Sequence, residues 1–76
     1  MSNFSYEQWE YKPNQRKTLV YYTGVEGGNP SGAVTNVKYI NYEHYDVIDS
    51  IWNIVLTQLI EYNGNDYVIS ITPIKN

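Results

Sequence analysis

The sequence predicts an all-β protein in which four to five antiparallel strands form a meander, arranged as a small open barrel or sandwich. The clearest observation is an Asn63-Gly64 turn between two runs of alternating β-branched and aromatic residues. Asn and Gly tolerate the positive φ of tight hairpin turns. A second observation is that other runs rich in Val, Ile, Thr and Tyr are separated by turn-forming residues. A third is that four of the five glycines fall in residues 24–32.

The first 13 residues are expected to form an N-terminal arm or a short edge strand of a single domain that spans residues 1–76. Aromatic residues in this segment nearly alternate, at Phe4, Tyr6, Trp9 and Tyr11. Pro13 ends the segment because proline lacks the amide that a strand ladder requires and restricts the residue before it.

The next two strands are predicted at residues 18–23 and 34–42, which pair as a hairpin with a long loop. Residues 24–32 between them form an irregular loop, because Gly, Asn and Pro interrupt regular structure. Residues 43–46 are predicted to be a polar break. Residues 45–50 could continue the sheet or form one helical turn.

The segment 48–60 is compatible with two structures. Its apolar residues at 48, 51, 52, 55, 56 and 59 fit one face of a helix that Gly64 would cap. Residues 51–57, however, are rich in β-branched side chains and contain an Asn, which disfavour a helix. We favour the strand, and the helix is the alternative.

If the segment is a strand, it forms a hairpin with the residues that follow Gly64. A four-residue loop at residues 63–66 then places Tyr62 opposite Tyr67 and Ile60 opposite Ile69. The bulky side chains of both strands lie on one face in this register, which is the arrangement that a half-buried hairpin requires.

Pro73 is predicted to close the last strand, so that residues 74–76 form a tail. A meander of this size has two strand edges whose backbone groups are unpaired, and such edges can add to the sheet of a neighbouring molecule. The edges are therefore candidate docking surfaces.

The size of the chain also favours association. A domain of 76 residues buries only about 60% of the surface that its unfolded chain exposes, so its stability is marginal. The sequence contains no cysteine, which leaves packing against another chain as the commonest remaining source of stability. No apolar run reaches the roughly 20 residues needed to span a bilayer, and residues 1–10 lack the pattern of a signal peptide. The compartment is not determined by the sequence.

Charge and aromatic content bear on the type of partner. The formal net charge of −3 argues against nucleic acid, which normally binds a cluster of Lys and Arg on a basic domain. Nine Tyr and two Trp supply the kind of rigid contact area that recognition surfaces use, although Tyr is also a common packing residue of strands. The predicted partner is a protein or a second copy of the chain. The predicted interaction residues are Trp9, Tyr11, Tyr21, Tyr22, Tyr39, Tyr42 and Tyr45.

No arrangement of residues predicts an active site, a metal site or a cofactor site. His44 is the only histidine, and with a few neighbouring acidic residues it does not specify a zinc geometry. Residues 27–32 are glycine-rich but lack the Gly-Lys-Ser/Thr that opens the helix of a phosphate loop. We therefore expect a non-enzymatic protein that uses no cofactor and no metal.

Four segments carry a resemblance to a known group of proteins. They are Thr-Leu-Val-Tyr-Tyr-Thr-Gly (18–24), Gly-Gly-Asn-Pro-Ser-Gly (27–32), Thr-Asn-Val-Lys-Tyr-Ile (35–40) and Ile-Glu-Tyr-Asn-Gly-Asn-Asp-Tyr-Val-Ile-Ser-Ile (60–71). In this order they resemble small β-structured tail, collar or fibre proteins from the virions of tailed bacteriophages. The resemblance implies an assembly role in the virion and no catalytic residues. The chain departs from a fibre pattern because it has no long repeat and no heptad stretch.

Three functions are consistent with these features. The favoured one is a structural or assembly protein that docks on itself or on a larger partner through strand edges and Tyr/Trp patches. One alternative is a small β-barrel module that binds single-stranded nucleic acid on stacked aromatic rings such as Trp9, Tyr21, Tyr22 and Tyr39. The other is an acidic inhibitor of a host protein, encoded by a mobile element.

Overall fold

A computed structural model describes Trp9 and residues 12–74. Within these residues the chain forms four strands and no α-helix: β1 (Gln15–Tyr21), β2 (Val37–Asp46), β3 (Ile51–Tyr62) and β4 (Val68–Ile74). The strands form one antiparallel sheet in the order β1-β2-β3-β4. The predicted all-β meander is confirmed, and the sheet is a single open layer rather than a two-layer sandwich.

The segment with two possible structures is a strand. β3 covers residues 51–62 and pairs with β2 on one side and β4 on the other. The β-branched composition of this segment was the better guide, because helical spacing of apolar residues also arises by chance in a strand with a bulge. The register of β2 and β3 shifts between Tyr42 and Glu43, where Val55 is the extra residue.

The predicted polar break at residues 43–46 is wrong, since these residues are the last four of β2. Glu43 stays in the strand because its carboxylate bonds to the side chains of Arg16 and Thr18 on β1. The chain turns instead at residues 47–50, so the segment 45–50 continues the strand as far as Asp46 and forms no helical turn. Strand boundaries also differ, since β1 begins at Gln15 and β2 begins at Val37.

Most of the predicted N-terminal arm lies outside the described residues. Trp9 is described, and its ring packs edge-on against the ring of Tyr42, with the centroids 6.2 Å apart. The indole N–H of Trp9 donates a hydrogen bond of 2.8 Å to the backbone carbonyl of Glu43. Trp9 therefore anchors the chain that precedes β1 onto β2.

The β3–β4 hairpin is confirmed, but its predicted register is wrong. Tyr62 does not face Tyr67, and Ile60 does not face Ile69. Their partners are, in the same order, Val68 and Ile71.

The reason for the different register lies in the turn and in a bulge. The backbone N–H of Asn63 donates to the carbonyl of Tyr67, and the side-chain oxygen of Asn63 accepts from the amides of Asn65 and Tyr67. Tyr67 therefore belongs to the turn. Glu61 then faces Ser70 while Tyr62 faces Val68, so one further residue of β4 is left without a partner.

Pro73 does not close β4, contrary to the prediction. It lies inside the strand, opposite Gln58, and β4 ends at Ile74. β4 is an edge strand of the sheet. Proline is tolerated there because its missing amide hydrogen is on the side without a neighbour.

The most buried part of the protein is at one end of β3. Tyr22, Ile60 and Tyr62 form the buried cluster, and Val37 and Ile40 pack against it. The rings of Tyr22 and Tyr62 meet edge to face, with centroids 6.1 Å apart. This geometry is favourable because the ring edge is positive and the ring face is negative.

A loop, residues 22–36, replaces a strand at this end of the sheet. β2 pairs with β3 only as far as Tyr39 opposite Leu59, whereas β3 continues to Tyr62. The carbonyl of Gly28 accepts the backbone N–H of Tyr62 at 2.7 Å. Gly28 has a φ of +90°, and a Cβ there would lie 2.6 Å from the hydroxyl of Tyr22, so the position requires glycine.

The hydroxyl of Tyr22 is a second group of this loop that takes the place of a strand neighbour of β3. It donates a hydrogen bond of 2.7 Å to the carbonyl of Ile60, and the hydroxyl of Tyr62 donates to the carbonyl of Val37. Burial raises the pKa of the Tyr22 phenol, and Lys38 opposes that effect. The phenol therefore stays protonated and available as a donor.

Removing the Tyr22 hydroxyl tests its role. We expect Tyr22→Phe to lower the free energy of unfolding by about 1–3 kcal/mol, because the carbonyl of Ile60 loses its partner in a buried place. Tyr67→Phe is the matched control, since its side chain is 70% exposed, and we expect a change within about 0.5 kcal/mol. Urea unfolding of both variants measures the difference. Equal midpoints for Tyr22→Phe, Tyr67→Phe and the natural chain would contradict the role.

Candidate functional site

The outer edge of β4 is the most unusual surface of the described chain. β4 is bonded to β3 on one side, and the other side has no strand neighbour among the described residues. None of its seven residues is charged. Several of its apolar side chains are also exposed: Val68 by 50%, Ile69 by 65% and Ile71 by 56%. Natural sheets usually protect such an edge with charge or cover, because it can pair with another strand.

The opposite edge, on β1, has a different character. Leu19, Val20 and Tyr21 are exposed there, but the first half of the strand carries Arg16 and Lys17. Positive charges on an edge strand oppose the approach of another strand, since pairing would remove them from water. The two edges are therefore not equivalent.

β4 leaves part of β3 uncovered. The β3–β4 pairing uses residues 57–62 of β3, so residues 51–56 have no strand neighbour on that side within the described part of the chain. Ile51, Ile54 and Val55 are exposed in this region. The apolar surface at the β4 side of the sheet thus continues past the end of β4.

The turn between β2 and β3 adds a third apolar feature. Ile48 is 89% exposed, and Val47 beside it is exposed as well. The side-chain oxygen of Asp46 accepts the amides of Ile48 and Asp49, and Ser50 has a positive φ of 57°. The turn is therefore fixed by Asp46 and not by packing of the apolar side chains.

Among the described residues, a cluster of polar side chains on β1, β2 and β3 most resembles a chemical site. Arg16 donates two hydrogen bonds to one oxygen of Glu43, at 3.2 and 3.0 Å, and Thr18 donates to the other oxygen. The guanidinium of Arg16 also lies 4.1 Å from the ring centroid of Trp52, whose ring packs against Tyr45.

This cluster is suited to a structural role. Glu43 is only 6% exposed, and both of its carboxylate oxygens have donors. These hydrogen bonds to Arg16 and Thr18 hold β1 against β2. His44 next to Glu43 is exposed. The described residues contain no group of three or more His, Cys, Asp or Glu that could hold a metal ion.

The glycine-rich loop is held by a single buried amide. Asn29 is fully buried, and its side-chain nitrogen donates to the carbonyls of Gly24 and Ala33, at 3.1 Å each. Its side-chain oxygen accepts the amide of Asn36 at 2.8 Å. The loop is therefore organised around Asn29, with none of the amide's polar atoms left over for a ligand.

The same loop is tied to the β3–β4 turn through Asp66. One carboxylate oxygen of Asp66 accepts hydrogen bonds from the hydroxyl of Ser31 and the amide of Asn36. These two bonds lower the pKa of Asp66 below its ordinary value, and the Ser31 bond has the larger effect. Charged Asp66 thus fastens the 22–36 loop to the hairpin that contains β4.

The predicted interaction residues fall into three groups in the structure. Trp9, Tyr22 and Tyr42 are buried inside the chain, where they serve packing. Tyr39 and Tyr45 are half-buried, and the ammonium of Lys38 lies 5.3 Å from the ring centroid of Tyr39. Tyr21 is exposed on β1, and Tyr11 lies outside the described residues.

The surface that the structure exposes is mainly aliphatic, and sequence reasoning that ranked aromatic residues first missed it. The signal was present in the sequence. Residues 67–74 contain no charge, and a run of alternating Ile, Val, Ser and Thr at the end of a hairpin is typical of a strand that needs a neighbour.

The sequence matches no family model, no curated protein and no solved structure. In the described part of the chain, no helix has the length and apolar character that crossing a membrane requires. Function therefore has to be inferred from the chain's own surface.

The Asp66 contacts predict a pH dependence. Because the pKa of Asp66 is lower in the folded chain, the unfolded chain binds more protons in acid. The stabilisation from these contacts is complete above the pKa of Asp66 in the unfolded chain, about 3.9. It is lost as pH falls through the lower pKa that Asp66 has in the folded chain. We expect Ser31→Ala to raise the pKa of Asp66 toward its ordinary value, as measured by NMR titration of the carboxyl carbon.

Ser70→Ala is the matched control for this titration. The hydroxyl of Ser70 contacts Glu61 and Thr72 and not Asp66, so the pKa of Asp66 should be unchanged in that variant. An Asp66 carboxyl that titrates at its ordinary value in the natural chain would show that the contact with Ser31 is not formed in solution.

Proposed function

We propose that this chain is a non-enzymatic assembly protein that docks on copies of itself or on a larger protein, as virion components of tailed bacteriophages do. One observation carries the proposal: the open edge of β4 is free of charge and exposes Val68, Ile69 and Ile71. Single exposed apolar residues are ordinary on protein surfaces, but several of them on one uncharged, unpaired strand are typical of an interaction site.

The energetics favour docking at this edge. A strand that pairs with β4 would satisfy backbone groups that now face away from β3, and it would cover the exposed aliphatic side chains. Burial of apolar surface contributes roughly 25 cal/mol per Å², and main-chain hydrogen bonds add directionality. A small domain with few buried residues gains proportionally more from such a contact than a large one does.

The resemblance to virion proteins supports the same role. Two of the segments that carry it are residues 27–32, in the loop organised around Asn29, and residues 60–71, in the β3–β4 hairpin. Both segments have scaffold functions here, and the second includes most of β4. The resemblance implies no catalysis.

The two alternative functions receive less support. Binding of single-stranded nucleic acid needs rings that bases can reach, and two of the four predicted rings, Trp9 and Tyr22, are buried. The inhibitor function stays a prediction, because no feature of the surface favours it over assembly.

The proposal is tested by the mass of the chain in solution. We expect light scattering over a concentration series to give a mean mass that rises above the 8.9 kDa of one chain. Ile71→Lys should weaken this association at least about tenfold, equivalent to about 1.4 kcal/mol, because it places a charge in the contact.

Val34→Lys is the matched control. It makes the same change of charge at an exposed residue of the 22–36 loop, outside both edge strands, and it should leave association unchanged. A chain that stays monomeric at every concentration, and that binds no virion protein when the two are produced together, would contradict the proposed function.

A further inference from the structure

We propose that the strand that completes β4 is the β4 of a second copy, paired antiparallel across a two-fold axis that passes beside Ile71. This inference rests on the proposed function and makes it specific, because it names the surface, the partner and the register. The result is one continuous sheet that crosses both copies, with the two β1 strands at its outer edges.

Charge is the first reason for a second copy as the partner. Each chain has a net charge of −3, so a contact that brings like charges of two copies together adds repulsion, and a contact without charged residues avoids it. β4 has no charged residue in Val68–Ile74, whereas β1 carries Arg16 and Lys17. A contact between two β4 strands therefore buries no charge, whereas a contact between β4 and β1 would bring the cations of β1 into the interface.

Symmetry is the second reason. Pairing of β4 with β4 is self-complementary, so one contact satisfies both copies and the assembly closes as a dimer. Pairing of β4 with β1 is head-to-tail and leaves an open edge at each end, which leads to a filament. The cations on β1 act against the filament and leave the closed dimer as the favoured form.

The register follows from Pro73. In an antiparallel ladder, successive residues alternate between directing their backbone groups toward the neighbour and away from it. Pro73 faces Gln58 of β3 and has no amide hydrogen, so it fits a position that is directed away from β3. By alternation Ile71 is also directed away from β3, and unlike Pro73 it offers both an N–H and a carbonyl to the open edge.

Ile71 is therefore the natural centre of the pairing. Toward the start of β4 the ladder is interrupted by the bulge at Ile69, and toward its end Pro73 cannot donate. A two-fold axis beside Ile71 lets the two Ile71 residues exchange N–H to carbonyl hydrogen bonds. Ile71 lies opposite the buried Ile60 of β3, so the contact extends the apolar cluster of each copy toward the other.

In this register, Ser70 of one copy lies opposite Thr72 of the other. Residues that face each other at such a non-hydrogen-bonded pair have Cα atoms about 4.5 Å apart, within the range of about 4.4–6.8 Å that a disulfide spans. Two Ser70 residues would be diagonal neighbours, at about 7–8 Å, which is too far.

Cysteine cross-linking tests the register directly, since the chain has no cysteine of its own. Ser70→Cys and Thr72→Cys are oxidised mildly, separately and mixed, and the products are identified by intact mass. We expect the mixture to form the mixed disulfide, with each variant alone giving little cross-linked dimer. Val20→Cys on β1, mixed with Thr72→Cys, is the control for head-to-tail pairing.

The outcomes separate this inference from the proposed function. A mixed disulfide of the two β4 variants supports the two-fold pairing. A disulfide between the β1 and β4 variants in its place overturns it and indicates a filament. Association by light scattering without either disulfide also overturns it, while assembly through another surface stands. Monomers at every concentration overturn both proposals.

A second measurement on the natural chain protects the test against variants that fail to fold. The two-fold pairing requires the amide of Ile71 to become protected from hydrogen exchange as protein concentration rises, because that amide is bonded only in the dimer. NMR exchange measured at several concentrations gives the result for each residue of β4. An Ile71 amide whose exchange does not slow with concentration would overturn the inference even if no variant could be purified.

Discussion

The hydrogen bond from the hydroxyl of Tyr22 to the carbonyl of Ile60 is the interaction on which the shape of the sheet depends. β3 runs past the end of β2, so its backbone would be bare there without a substitute neighbour. Tyr22 provides the missing donor and Gly28 the missing acceptor, both from a loop. One side-chain donor thereby lets the sheet end irregularly while the backbone of β3 stays satisfied.

The loop that supplies these groups is itself rigid for a related reason. Asn29 satisfies three backbone or side-chain partners at once, and Asp66 joins the loop to the β3–β4 turn. This end of the sheet thus holds the buried cluster of Tyr22, Ile60 and Tyr62, while β4 and the first half of β3 contribute mostly exposed surface. A molecule built this way has a firm end that fixes the fold and an open side that is available for contact.

The sequence predicted the elements that depend on short-range chemistry. The Asn63-Gly64 hairpin, the glycine-rich loop and the strand character of residues 51–57 were all correct, because each follows from neighbours in the chain. The errors came from long-range partners. Glu43 belongs to a strand because of Arg16, 27 residues earlier, and nothing near Glu43 indicates that contact.

The candidate site was predicted in type but not in its residues. Strand edges were expected, and β4 provides one. No local pattern shows which of Tyr21 and Tyr22 is buried, because both lie in a continuous run of apolar and aromatic residues without alternation. The bulge at Ile69 decides the register of β4, and it depends on the turn as a whole. Aromatic residues were favoured as contacts, whereas most of the described ones hold the chain together.

The turn after β2 has a practical consequence. Its backbone is held by the carboxylate of Asp46, while the side chain of Ile48 touches almost nothing. Position 48 can therefore carry a fluorophore or an affinity handle without disturbing the architecture. A reporter attached there would project from the tip of a hairpin, clear of the residues that hold the strands together.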